Sequence, residues 1–110
     1  MRSRTAKGNR FSQAQIQKVW EKAKRVPGVD PAVYRKDHCN AWIKRSDYGI
    51  NASSLSTSWE IDHIKPKSKG GKDDLTNLQP LQWENNRGKS DNYPHWDCTV
   101  TTSEGENVYL

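Results

Sequence analysis

Apolar positions fall into helical spacing once in the first third of the chain, where Ile16, Val19, Trp20 and Ala23 share one face. The segment opens with a full helix-start signal: Ser12 as N-cap, Gln15 three residues on to return the hydrogen bond, and Phe11 placed to pack on Ile16. Pro27-Gly28 is the stop. Residues 29–37 show no period, and residues 39–45, centred on Trp42 and Ile43, have the content of a short strand, with Asn40 tolerating a turn at its start. A loop rich in Ser, Asn and Gly over residues 46–58 leads into a predicted strand at residues 59–64, Trp-Glu-Ile-Asp-His-Ile. A polar loop at residues 65–76 turns at Gly70-Gly71, a second strand is predicted at 78–81, and residues 82–90 have helical composition. Trp96, Cys98 and Val100 then alternate ahead of Ser103-Glu104-Gly105-Glu106 and Val108-Tyr109-Leu110, the pattern of a terminal hairpin.

With 110 residues of which 32% are hydrophobic, the chain has material for one core. The elements predict a small α+β domain over residues 11–110, with strand, loop, strand and helix at about 57–91 and an extra helix before them. Residues 1–10 lack apolar periodicity and are expected to be a flexible basic arm. Mean hydropathy is low, at -1.10, but five Trp supply large apolar surfaces, and Trp20, Trp42, Trp59 and Trp83 are the expected centre of the core.

Charge changes the picture of the partner. Residues 1–36 hold ten Lys and Arg against only Glu21 and Asp30, whereas residues 37–110 hold eight against eleven acids. A concentrated basic block is held at a polyanion by counterion release, so nucleic acid is the first partner to consider, and a solubilising role is an equally common reading of such an arm. Lys18, Lys22, Lys24 and Arg25 lie away from the apolar stripe and form either a phosphate-facing or a solvated surface. No apolar run matches a signal-peptide core or a membrane span, so a cytoplasmic protein with no membrane partner is expected. Cys39 and Cys98 form no C-x-x-C pair and are read as buried free thiols. Structural zinc on His38, Cys39, His95 and Cys98 is not expected, because adjacent residues rarely both reach one ion.

Candidate chemistry gathers between residues 62 and 89. Phosphodiester hydrolysis needs activated water, an electrophile to offset phosphate charge, and help for the leaving oxygen; a divalent metal supplies the last two. Mg²⁺ takes one or two protein oxygens and keeps several waters, for which Asp62 and the amide oxygen of Asn86 are suitable. His63 has the side chain whose intrinsic pKa suits a general base near neutrality.

The ordered set Asp62-His63-Ile64-x-Pro66, Gly70-Gly71, Asn77-Leu78-Gln79-Pro80-Leu81, Asn86 and Lys89 resembles the His-Asn-His (HNH) endonucleases. Asn86-Arg87-Gly88-Lys89-Ser90-Asp91-Asn92 is also similar to the end of the HNH domain of RNA-guided CRISPR nucleases. The resemblance covers about a third of the chain and implies a ββα-metal fold, DNA as substrate, most simply double-stranded, and products with 5′-phosphate and 3′-hydroxyl ends. It implies Asp62 as metal ligand, His63 as general base, Asn77 as the brace that orients His63, and Asn86 as second ligand in a His-Asn-Asn variant. An amide oxygen in place of imidazole favours Mg²⁺ or Mn²⁺ over softer ions.

Other positions stay open at this level. Asn85 adjoins Asn86, and helix geometry lets only one of them face an ion; the motif's register selects Asn86. Asp62 and His63 would point to opposite faces of a regular strand, so the strand must end or twist there. Lys89 either contacts a phosphate or caps its helix. Lys65, Lys67, Lys69, Lys72 and Arg87 either contact backbone phosphates or are solvated. A non-catalytic nucleic-acid-binding module on the same fold is the alternative function.

Overall fold

The computed structural model describes residues 3–110. Helix α1, Gln13–Trp20, starts with the capping box read from the sequence: the Gln15 amide donates to Ser12 Oγ at 3.1 Å, and the Ser12 amide donates to the Gln15 side chain at 2.9 Å. Its inward face is Ile16, Val19 and Trp20.

The helix ends seven residues short of Pro27. Lys22 and Ala23 close tighter turns on the carbonyls of Val19 and Trp20, and Arg35 reaches over to the carbonyls of Glu21 and Ala23. Those carbonyls thus find partners without another helical turn. Lys24 then pairs through its backbone with Lys36, at 2.8 and 2.9 Å. Sequence periodicity does not register this, because Arg35 comes from a strand that the pattern misses. That strand, β1, Tyr34–Lys36, lies in the stretch expected to be irregular and pairs antiparallel with β2, Trp42–Lys44.

Strand β3, Trp59–His63, pairs antiparallel with β4, Leu78–Gln82, placing Asp62 opposite Gln79 and His63 opposite Leu78. The chain passes directly from β4 into helix α2, Trp83–Lys89, whose N-cap is the Gln82 side chain, accepting from the amides of Glu84 and Asn85. The terminal hairpin is present as β5, Val100–Ser103, and β6, Glu106–Tyr109.

The main core joins α1 to the β3–β4 hairpin through Phe11, Ile16, Val19, Trp20, Ile43, Trp59, Ile61 and Leu78. Burial of each large apolar side chain there contributes about 1.5–3 kcal/mol. Trp20 and Trp59 are fully buried with their rings 5.3 Å apart at a tilt of 43°, whereas Trp42 and Trp83 are only half-buried. Their indole N–H groups bond the outlying carbonyls of Gly105 and Ser53.

A buried polar hub ties the three hairpins together. Asp37 accepts from the amides of Cys39, Ala41 and Gln82 and from Asn85 Nδ2. Burial pushes its carboxyl above the usual range despite these bonds. The expected free thiols are instead a Cys39–Cys98 disulfide across a separation of 59 residues. Both sulfurs are thereby engaged with each other, and neither is available as a thiolate ligand.

Candidate active site

Strand β3 places its polar side chains by alternation. Glu60 and Asp62 share the face toward α2, and both are buried. Gln79, the cross-strand neighbour of Asp62, donates to its Oδ2 at 2.9 Å, and Lys89 from α2 lies 3.3 Å from each of its oxygens. Burial raises the Asp62 carboxyl, while the Gln79 bond, Lys89 and nearby His63 pull it back.

His63 is the last residue of β3, and the backbone bends away directly after it. This end of the strand removes the conflict between opposite faces: Asp62 and His63 line one cavity of about 130 Å³, and Asn86 of α2 lines it too. His63 Nε2 meets Asp73 Oδ1 at 2.7 Å, and the ring lies 6.1 Å from that of Phe11. Burial acts to raise the Asp73 carboxyl, but bonds from His63 and from the Ala6 amide, with the charges of His63 and Lys67, leave it below the usual range.

The two asparagines part company. Asn85 is fully buried, donating to Asp37 and to the Val100 carbonyl and accepting the amides of Thr99 and Val100. Its side chain is saturated by structural bonds. Asn86 Nδ2 donates to Glu60 Oε1 at 2.9 Å, which leaves its Oδ1 as the atom able to ligate. Glu60 in turn accepts from Arg87 at 3.1 Å, and the Arg87 guanidinium lies over Trp83.

Asn77 closes the loop between the strands at both ends. Its Oδ1 accepts from the Lys65 amide at 2.8 Å, and its Nδ2 donates to the carbonyls of Lys65 and Lys72. Its own carbonyl accepts from the Ile64 amide, next to His63. Gly71 fits this closure because a Cβ there would lie 1.6 Å from the Lys65 carbonyl oxygen.

The basic candidates separate. Lys18, Arg25, Lys65, Lys67, Lys69 and Lys72 are exposed, and Lys67 lines the cavity. Arg87 is half-exposed but paired. Lys22 is turned inward onto the carbonyls of Leu75 and Leu78. Lys89 is 1% exposed and donates to Asp62 and to the His63 carbonyl, so it neither reaches a surface phosphate nor caps the last carbonyls of α2. Three positions on from Asn86, it shares that residue's side of the helix, and the packing of α2 on β3 makes this side internal.

Glu60, Asp73 and Gln79 were not singled out from the sequence. Glu60 and Gln79 had a signal, since one is two residues before Asp62 and the other faces it across the hairpin. Asp73 had none, because its approach to His63 depends on the path of the loop. Among the described residues, no three His, Cys, Asp or Glu side chains form a metal cluster. The cavity lining offers instead two carboxylates, Asp62 and Asp91, and the Asn86 amide, oxygen donors of the kind that suit a hard divalent ion whose shell water and phosphate complete.

A hairpin running into a helix thus brings carboxylate, imidazole and amide side chains to one cavity. The HNH endonuclease family model matches residues 37–92, which include β3, β4 and α2, and the chain belongs to that family. Members of the family generally use a divalent metal ion and act on nucleic acids. No curated protein and no solved structure matches the chain. No helix among the described residues is long and apolar enough to cross a membrane.

Proposed function

We propose that this chain is a metal-dependent endonuclease of His-Asn-Asn type on a ββα-metal core, hydrolysing DNA to 5′-phosphate and 3′-hydroxyl ends. The observation that carries this reading is the convergence of Asp62, His63 and Asn86 on one cavity from a strand end and a separate helix. Asp62 and Asn86 would hold one Mg²⁺ or Mn²⁺. When bound, the ion offsets charge on the phosphate and on the leaving 3′ oxygen.

The chain's own residues supply the rest. An ionised Asp73 only accepts, so in the neutral ring its contact with Nε2 selects the tautomer with the proton there and the lone pair on Nδ1. Water attacks phosphorus as its proton passes to Nδ1; the bond from phosphorus to the 3′ oxygen breaks, and that oxygen takes a proton from solvent. Gln79 and Lys89 orient and balance Asp62, while Glu60 turns the Asn86 amide so that its oxygen is free. Lys67 at the cavity and exposed Lys65 and Lys69 beside it in the loop are cations for flanking phosphates, with Lys18 and Arg25 on the N-terminal part of the chain.

Nicking of supercoiled plasmid in Mg²⁺ or Mn²⁺ tests the reading. Wild type is expected to nick, with loss in EDTA and in His63→Ala while DNA affinity stays nearly unchanged. Binding without metal-dependent cleavage, or equal nicking by His63→Ala, would overturn it in favour of a non-catalytic module.

A further inference from the structure

Residues 3–11, ahead of α1, are drawn onto the active centre. β3 pairs with β4 along one edge; on its other edge Trp59 bridges to Tyr48, the Gly49 amide donating to the Trp59 carbonyl, and the Ile61 amide donates to Ser3 Oγ at 2.9 Å. Ser3 also bonds the Tyr48 hydroxyl at 2.6 Å, and Ser3 and Arg4 line the same cavity as His63. The chain then turns back on itself: the Gly8 amide donates to the Thr5 carbonyl at 2.8 Å, the Thr5 amide to the Asn9 carbonyl at 2.8 Å, and Arg4 pairs with Arg10. At the head of that turn the Ala6 amide donates to Asp73 Oδ1 at 2.9 Å, the very oxygen that His63 Nε2 meets at 2.7 Å. The segment ends in Phe11, buried at 5% exposure, whose ring faces His63.

We propose that this arm is a working part of the active centre, in which the Ala6 amide and Asp73 are positioning residues that hold the His63 ring in register for catalysis. The inference rests on the nuclease reading above. The physical basis is that Asp73 lies on a loop with its side chain 33% exposed, so one bond to His63 would leave its carboxylate free to turn and the ring's orientation less firmly set. A second donor on the same oxygen from a rigid turn removes that freedom. A well-aligned base contributes through orientation, which is lost steeply with small displacements.

Ala6 occupies the second position of the turn from Thr5 to Gly8, where proline's φ is suited and only the N–H is lost. Ala6→Pro therefore deletes the bond to Asp73, and Ala6→Ser keeps it as a control. Two readouts are taken on the full chain: steady-state nicking in Mg²⁺, and ¹⁵N signals of the histidine rings, of which there are three. Ala6→Pro is expected to lower kcat about five- to tenfold, the size of one lost orienting bond, with KM and Tm nearly unchanged. The Nε2–H signal of His63 is expected to shift or broaden, while Ala6→Ser matches wild type in both readouts. Removal of residues 1–7 is expected to reproduce the loss of kcat and the ring-signal change.

Wild-type kcat and an unchanged His63 signal in Ala6→Pro would overturn the proposal, as would a loss of Tm that accounts for the whole effect. If wild type itself fails to nick, the nuclease reading fails, and the ring signal still decides whether the arm holds His63.

Discussion

Asn85 Nδ2 donates to Asp37 Oδ2 at 3.0 Å in the interior, and the neighbouring Asn86 bonds Glu60 at the edge of the cavity. One step along the helix separates a structural amide from a candidate ligand. Asn85→Ala is expected to lower stability by about 3–5 kcal/mol, because Asp37 and the amides of Thr99 and Val100 lose their buried partner. Asn86→Ala is expected to leave the fold largely intact and to abolish metal-dependent nicking. Denaturant melts and plasmid assays of the two variants check this, and an exchange of phenotypes would reverse the assignment.

Asp37→Ala removes the acceptor of four bonds at once. The orphaned donors cost about 1 kcal/mol or more each, so a loss of about 4 kcal/mol and a fall in Tm of well over ten degrees are expected. A shift of only a degree or two in calorimetry would show that the hub is not the joint between the hairpins.

Gly71→Ala must displace the Lys65 backbone, since no rotamer relieves a Cβ clash with a carbonyl. The Asn77 bonds to Lys65 would loosen with it. A cost of about 1–3 kcal/mol is expected, with nicking falling by more than the folded fraction does. Activity strictly proportional to folded protein would mean that the loop does not orient His63.

The disulfide closes a long segment of chain, so reduction or Cys98→Ser is expected to cost about 2–4 kcal/mol. Disulfides persist in oxidising surroundings, and thermal melts with and without reductant measure what a reducing compartment would remove. Identical melts would show that the cross-link does not contribute.

Asp73 carries the pH prediction. Its carboxyl is held below the ordinary value of 3.8, so its contribution to stability is present above that pH and is lost as pH falls through the lowered folded value. The Tm gap between wild type and Asp73→Asn should therefore be present at neutral pH and close on acidification. A gap that widens below pH 4 would contradict the direction of the shift.

Local signals carried much of this protein. The Ser12–Gln15 box, the strands near residues 59–63 and 78–82, the helix after Gln82 and the final hairpin all follow from caps, alternation and turn residues that act over a few positions. The order of Asp62, His63, Asn77 and Asn86 was enough to suggest the family and the chemistry. Tertiary structure decided the rest. Helix α1 stops early where the amides of Lys22 and Ala23 close tighter turns and Arg35, from an unrecognised strand, takes the carbonyls of Glu21 and Ala23 just past it; Lys22 and Lys89 turn inward because carbonyls and a carboxylate wait there; and Cys39 meets Cys98 because the hub draws their neighbours together. The Asp73–His63 contact belongs to this second group, since residues 10 positions apart meet only through the closed path of one loop, and the arm that completes it comes from 67 positions away.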